Sequence, residues 1–244
     1  MAPEAAELAR IRALAGKLPS PCGKGESLTA SERTGCPQAP FARRYVEMAI
    51  EDGASDEQAQ MFYENRYLYR RKATFTTDDD PRLGPEHPLV TLVKFLDYEC
   101  PPCRALAPVL EQLVARYPGK LAIVFKQLPL PFHARARDAA RAALAAAAQG
   151  KFLDMHHRLL AQPRRHDPSD LRALAKELGL DMKRFRRDYD AADTIIDADI
   201  TEADAADVER TPALFINGER FADLPSPTRY LYLAVDEALA LANP

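Results

Sequence analysis

Between residues 4 and 17 the apolar positions Ala5, Leu8, Ile11, Leu14 and Ala15 recur three and four residues apart, which predicts an amphipathic helix. Leu18-Pro-Ser-Pro-Cys22-Gly ends it. Residues 21–37 are rich in Gly, Ser, Thr and Pro and read as a loop, after which Phe41–Ile50 returns to helical spacing and closes at Gly53. Ser55 followed three residues later by Gln58 has the spacing of a capping box, with Met61, Phe62, Tyr67 and Leu68 as the apolar face behind it. The first seventy residues therefore predict a small all-helical region. Residues 71–88, with Asp78-Asp79-Asp80-Pro81 and Gly84-Pro85, predict a linker whose acidic run is a solvated face without function.

From residue 89 the pattern changes. Leu89–Leu96 is a short apolar run rich in β-branched residues, Pro101–Arg116 has Leu106, Val109, Leu110 and Leu113 on one side, and Leu121–Phe125 is apolar again. Strand, helix, strand in this order predicts a parallel pair with a crossover helix. Helical spacing follows over about 134–149, 152–162, 168–178 and 182–206, with Asp167-Pro168 and Asp181 as helix starts. Ala213–Ile216 and Glu219–Ala222 then flank Asn217-Gly218, the signal of a type I′ hairpin, and a last helix starts near Ser226-Pro227.

Composition narrows the function classes. The chain has 244 residues, 47% of them hydrophobic, enough for one sizeable core and an appendage. A net charge of -3 with mixed rather than blocked Lys and Arg argues against nucleic acid. Glu4, Glu7, Arg10, Arg12 and Lys17 interrupt the first twenty residues, so no uninterrupted apolar stretch there resembles a membrane span or a signal peptide, and the start fits either a true start or one left after removal of a signal. Four cysteines, Cys22, Cys36, Cys100 and Cys103, are too few for a disulfide-stapled miniprotein, and they are not spaced as two zinc knuckles. No metal and no organic cofactor is expected.

Cys100-Pro101-Pro102-Cys103 falls where a strand hands over to a helix. A dithiol needs two sulfurs within bonding reach and one of them held as a thiolate; a CxxC on the first helical turn meets both needs, because unpaired N–H groups and the helix dipole favour negative charge there. The tetrapeptide alone fits half a zinc site or two inert thiols equally well. The lack of a second CxxC and the preceding strand favour the redox pair.

The chain from Val90 to Phe221 resembles the DsbA-like branch of the thioredoxin superfamily. The matching blocks are Val93-Lys-Phe-Leu-Asp-Tyr-Glu-Cys-Pro-Pro-Cys103, Gln127-Leu-Pro-Leu-Pro-Phe-His133, Ala148-Gln-Gly-Lys-Phe152 with Met155-His156, and Arg210-Thr-Pro-Ala-Leu-Phe-Ile-Asn-Gly218. The resemblance implies an α/β thioredoxin fold over residues 89–244 with a helical insertion at about 133–207. It also implies that Cys100 is the attacking, solvent-facing thiol and Cys103 the shielded, resolving one, and that Thr211 and a cis Pro212 form a substrate-binding loop beside them. Extended substrate backbone would pair with Thr211.

Five further residues are expected to modulate the pair. Pro101 and Pro102 lack N–H donors, so Cys103 is left as the donor that steadies the Cys100 thiolate. Arg210 stands where the family commonly has Gly; its guanidinium either approaches Cys100 or points to solvent. Lys94 either pairs with Asp97 and takes the Cys103 proton or carries its charge off the strand end. His133 and His156 read as helix-start or packing residues.

Residues 18–70 bear a weaker resemblance to the helical thiol domain of CcmH-like cytochrome c maturation proteins, through Arg43-Arg-Tyr-Val46, Glu51-Asp-Gly-Ala-Ser-Asp-Glu-Gln58 and Asn65-Arg-Tyr67. The expected CxxC is absent, since Gly-Lys-Gly follows Cys22. Cys22 and Cys36 are expected to form a structural disulfide.

The expectation is a periplasmic or otherwise extracytoplasmic thiol–disulfide oxidoreductase acting on unfolded or partly folded proteins and recycled by a redox partner. Two alternatives stand beside it: a non-catalytic peptide-binding holdase module, and an isomerase dimerised through the N-terminal region.

Overall fold

The computed structural model describes residues 5–23, 25–163, 165–221 and 227–242. The expected contributions of Met1–Glu4, Lys24, Ala222 and Ser226 lie outside them. The chain forms two compact units, one of Met1–Arg71 with Glu219–Pro244 and the other of Lys72–Gly218.

The first unit begins with α1 (Ala5–Lys17), α2 (Leu28–Arg33), α3 (Ala39–Glu51) and α4 (Asp56–Tyr67). The Ser55 capping box forms in full: Gln58 N donates to the Ser55 hydroxyl at 3.2 Å and Ser55 N donates to Gln58 Oε1 at 2.9 Å. Helix α2 was not expected. It is only six residues long and lies in the Gly/Ser-rich stretch, where Ser27 caps it by accepting from Ala30 N. The Cys22–Cys36 disulfide spans it, with Cα atoms 6.1 Å apart and a sequence separation of 14.

The second unit opens with β1 (Arg82–Leu83), then β2 (Val90–Leu96), α5 (Pro101–Arg116) and β3 (Leu121–Gln127). Residues 72–88 are thus not a plain linker. Phe75 packs at 5.3 Å from the Phe95 ring and 4.8 Å from Phe215, β1 pairs antiparallel with β3, and Asp80 from the acidic run sits 2.7 Å from the buried Lys126 ammonium. Gly84, with φ of 114°, permits this: a Cβ there would fall 2.5 Å from the Leu121 carbonyl. Strands β2 and β3 run parallel over seven residue pairs, Val90 with Leu121 through Leu96 with Gln127. Every residue of β3 and all but Thr91 of β2 are buried, as a strand covered on both faces requires.

Helices α6 (Ala136–Ala147), α7 (Phe152–Ala161), α8 (Pro168–Glu177), α9 (Met182–Ala191) and α10 (Asp193–Ala205) follow. The single helix expected over 182–206 is two, because the chain breaks at Ala192 and Asp193 binds Arg137 and Arg141 of α6. Asp181 caps α9 through Lys183 N and Arg184 N. Asp167 occupies the N-cap of α8 but makes no capping bond; its carboxylate pairs with Arg135 at 2.8 Å. Strand β4 (Ala213–Ile216) returns antiparallel to β2, giving the order β1-β3-β2-β4 within the unit. Val93, Phe95, Val124, Phe215 and Val208 form its core.

Asn217 and Gly218 both have positive φ, 47° and 80°, as a type I′ turn demands. Strand β5 (Glu219–Phe221) and α11 (Pro227–Ala242) then belong to the first unit, not to the thioredoxin-like part in which the sequence placed them. Buried Glu237 of α11 accepts from Arg66 at 3.0 Å, from Tyr67 at 3.3 Å and from Gln38 at 3.2 Å, while Arg70 binds both oxygens of Glu219. The Tyr45 ring lies edge-on to Tyr67 and Tyr230 at 5.7 and 5.2 Å.

Candidate active site

The end of β2 turns through Asp97 into α5, and Cys100 is the N-cap of that helix, with Pro101 and Pro102 in its first turn. Proline is tolerated there because first-turn N–H groups have no helical partner. Cys103, one turn on, is fully buried and Cys100 is 5% exposed. Cys100 is therefore less open than the sequence suggests, although it is the more exposed of the two. Both cysteines are free thiols.

The Thr211–Pro212 peptide bond is cis, and the Cys100 thiol donates to the Thr211 carbonyl at 3.2 Å. The chain thus brings residues 100 and 211 together. The two thiols are strongly polarised. A hydrogen bond from the Cys103 side chain, helped by Thr211 and by the Cys103 backbone N–H, pushes the Cys100 pKa down to about 6 against the opposing effects of burial and of the Asp97 charge. The same hydrogen bond, together with burial, drives Cys103 far upward. Cys103 is thus the donor that the paired prolines leave in place.

Asp97 does not pair with Lys94. The two are three residues apart along an extended strand end, so they point to opposite sides. The Asp97 carboxylate accepts from Glu99 N at 2.7 Å and from Leu130 N at 2.8 Å, and it faces His133 Nδ1 at 2.8 Å. It pins the loop from Leu128 to His133 against the turn that carries Cys100, whose N–H donates to the Asp97 carbonyl at 3.2 Å. Sequence reasoning missed this role. The signal was an aspartate two residues before an unpaired N–H at a strand end, the pattern of an Asx turn. His133 accordingly serves as a partner of Asp97.

Lys94 is fully buried on β2 and donates to the Cys103 carbonyl at 3.4 Å. His156 is buried too; its Nδ1 lies 3.0 Å from the Tyr98 hydroxyl, its ring stacks on Phe152, and burial keeps its pKa well below the usual imidazole range. It is a packing residue, and a neutral one. Arg210 is exposed beside Thr211, and the groups that set the Cys100 pKa are Cys103, Thr211 and Asp97.

Comparison with known proteins identifies the family. Residues 76–233 match the family model described as Thioredoxin. The chain belongs to the thioredoxin family, and its structural relatives place it among the DsbA-like thiol–disulfide oxidoreductases. The thiol-disulfide exchange protein α-DsbA2 from Wolbachia pipientis is 27% identical with a TM-score of 0.58, over 65% of this chain and 86% of that one. A periplasmic thioredoxin-like protein from Salmonella enterica serovar Typhimurium is 32% identical with a TM-score of 0.56, over 68% of this chain and 93% of that one. Among curated relatives, the Na(+)/H(+) antiporter NhaA 3 of Salinispora tropica is 40% identical over 170 residues, which is 68% of this chain. The chain spans about a quarter of the length of the curated relatives it matches. No helix among the described residues is long and apolar enough to cross a membrane.

Proposed function

We propose that the protein is a thiol–disulfide oxidoreductase acting on protein substrates through Cys100 and Cys103. The observation that carries this reading is the polarised pair itself: one thiol at a helix start with its pKa near 6, hydrogen-bonded to the Thr211 backbone, and a second held protonated one turn behind. A thiolate near neutrality attacks a substrate disulfide; the buried thiol then displaces the substrate from the mixed disulfide. Thr211 and Pro212 form the loop against which extended substrate backbone lies. Phe132, 76% exposed on the loop that Asp97 pins to the Cys100 turn, offers apolar contact for an unfolded chain. A separate redox protein returns the pair to its starting state. The compartment is extracytoplasmic, in keeping with the Cys22–Cys36 disulfide and with the periplasmic relative.

Insulin reduction by the wild type and by Cys100→Ala tests the reading. The wild type is expected to turn over and the variant to be inactive. Equal rates would support a binding module instead.

A further inference from the structure

Three carboxylates are almost fully buried among the described residues: Asp97, Asp199 and Glu237. A buried charge needs a partner, because leaving water is costly unless another charge or a hydrogen bond replaces it. Asp199 has the Lys126 ammonium at 3.0 Å and Glu237 has the Arg66 guanidinium at 3.0 Å, both cations of a kind that stays charged around neutral pH. Asp97 has a histidine instead. His133 Nδ1 lies 2.8 Å from its Oδ2, and imidazole is the side chain whose charge ordinarily changes between about pH 5 and 8. The partner of this one buried carboxylate is therefore of the switchable kind.

The position of the proton in that contact follows from the other bonds of Asp97. Its Oδ1 accepts from Glu99 N at 2.7 Å and its Oδ2 from Leu130 N at 2.8 Å, and a carboxylate in that role has no hydrogen to offer the ring. Nδ1 therefore donates, and Nε2 is the atom that gains or loses a proton. Nε2 has no protein partner among the described residues, and the His133 side chain is 20% exposed while that of Asp97 is sealed from water. Asp97 also stands three residues before Cys100 in the turn from β2 to α5, where the Cys100 N–H donates to its carbonyl at 3.2 Å. Its negative charge opposes ionisation of Cys100. One exposed ring nitrogen thus adjoins the carboxylate that bears on the attacking thiol.

We propose that His133 is a positioning residue for the attacking thiol, its charge acting through Asp97 to set how readily Cys100 ionises. A protonated ring cancels much of the Asp97 charge and favours the thiolate; a neutral ring leaves that charge in force and disfavours it. As the surroundings turn acid the ring gains its proton, so Cys100 keeps more of its thiolate than an isolated thiol would. The inference rests on the thiol-exchange function proposed above for its role, while the coupling itself is measured without a substrate. The charged and titratable groups around the pair are Asp97 and Glu99 in the β2–α5 turn, Cys100 and Cys103 on α5, and Lys94 on β2, whose charge bears on both cysteines. Arg135, two residues beyond His133, donates its backbone N–H to Glu99 and turns its guanidinium to Asp138 and Asp167.

The test follows iodoacetamide labelling of reduced Cys100 across pH in the wild type and in His133→Asn, which keeps an N–H donor for Asp97 and never carries charge. The wild type is expected to give a curve shallower than that of one proton. The variant is expected to give a one-proton curve with its midpoint higher by about half a unit, less than the roughly 1–3 units that a charge in direct contact supplies. Reciprocity provides a second readout on the unaltered protein: if charge on His133 favours the thiolate, the thiolate favours charge on His133 by the same factor. The NMR signal of the His133 ring, identified by its contact with the Phe132 ring 4.6 Å away, is expected to titrate at higher pH in the reduced protein than in the Cys100–Cys103 disulfide form. If His133→Asn does not fold, this comparison decides alone. A variant curve equal to that of the wild type, or a His133 titration that is the same in both redox forms, overturns the coupling. Both titrations as expected, in a protein that leaves insulin disulfides intact, support the coupling and overturn the exchange function instead.

Discussion

The two cysteine pairs of this chain obey different physics. Cys22 and Cys36 are bonded across a loop that contains α2, and neither begins a helix. Cys100 and Cys103 are three residues apart at the start of α5 and are unbonded. Loop closure gives the first pair its value, because cross-linking restricts the unfolded chain. Position gives the second pair its value, because one helical turn separates a thiol that ionises easily from one that does not. Chain separation alone does not distinguish a staple from a reactive centre; the helix start and the unequal thiols of the second pair do.

The sharpest way to break this comparison is to exchange the roles. Cys100→Ser is expected to abolish insulin reduction, whereas Cys22→Ser with Cys36→Ser keeps the wild-type rate at a temperature where the protein remains folded. Loss of activity in the double variant under those conditions would make the first pair a redox centre as well.

The next effect is in pH. The Cys100 pKa of about 6 lies below the ordinary thiol value of 9.0, so its thiolate favours the folded reduced state above that ordinary value. The contribution falls away as pH drops from about 9 through about 6. Iodoacetamide labelling of reduced Cys100 is therefore expected to reach half its maximal rate near pH 6. A half-point at the ordinary thiol value would mean that Cys103 does not steady the thiolate. Unfolding of the double serine variant supplies a smaller number: closing a loop of about 15 residues is worth about 3 kcal/mol in the chain-entropy model, and the oxidised wild type should exceed the variant by that order in denaturant. Equal midpoints would remove the staple.

The smallest effect concerns redox poise. Equilibration with glutathione is expected to place the Cys100–Cys103 couple between about -120 and -270 mV, nearer the middle than either end, because Pro102 withholds a donor that Cys103 replaces only in part. Exposed charges contribute about 0.2–1 kcal/mol, so Arg210→Ala should shift that value by less than about 20 mV. A larger shift would bring Arg210 into the site.

How much of this was legible in the sequence depended on whether the signal was local. The strand, turn and helix around Cys100, the Ser55–Gln58 box and the Asn217-Gly218 turn rest on residues within one turn of each other, and the chain chemistry reads them directly. Helix α2 was hidden because six residues in a Gly- and Ser-rich stretch give no periodicity. The partners of Asp97 were hidden because two of its three bonds reach Leu130 and His133, more than thirty residues away. Asp80 was misread for the same reason: a run of three aspartates looks solvated until Lys126 is known to lie beside one of them. The break at Ala192 answers to Arg137 and Arg141 on another helix.

The placement of α11 has a consequence for synthesis. Its Glu237 is the shared acceptor of Arg66, Tyr67 and Gln38, so helices α3 and α4 cannot complete their buried charge network until α11 has emerged. All of Lys72–Gly218 is translated in between, which takes about 7 to 30 s at about 5–20 residues per second. During that interval Arg66 has no Glu237 to neutralise it. The dithiol-bearing unit, by contrast, is continuous in sequence and can finish folding while its elder neighbour is still incomplete.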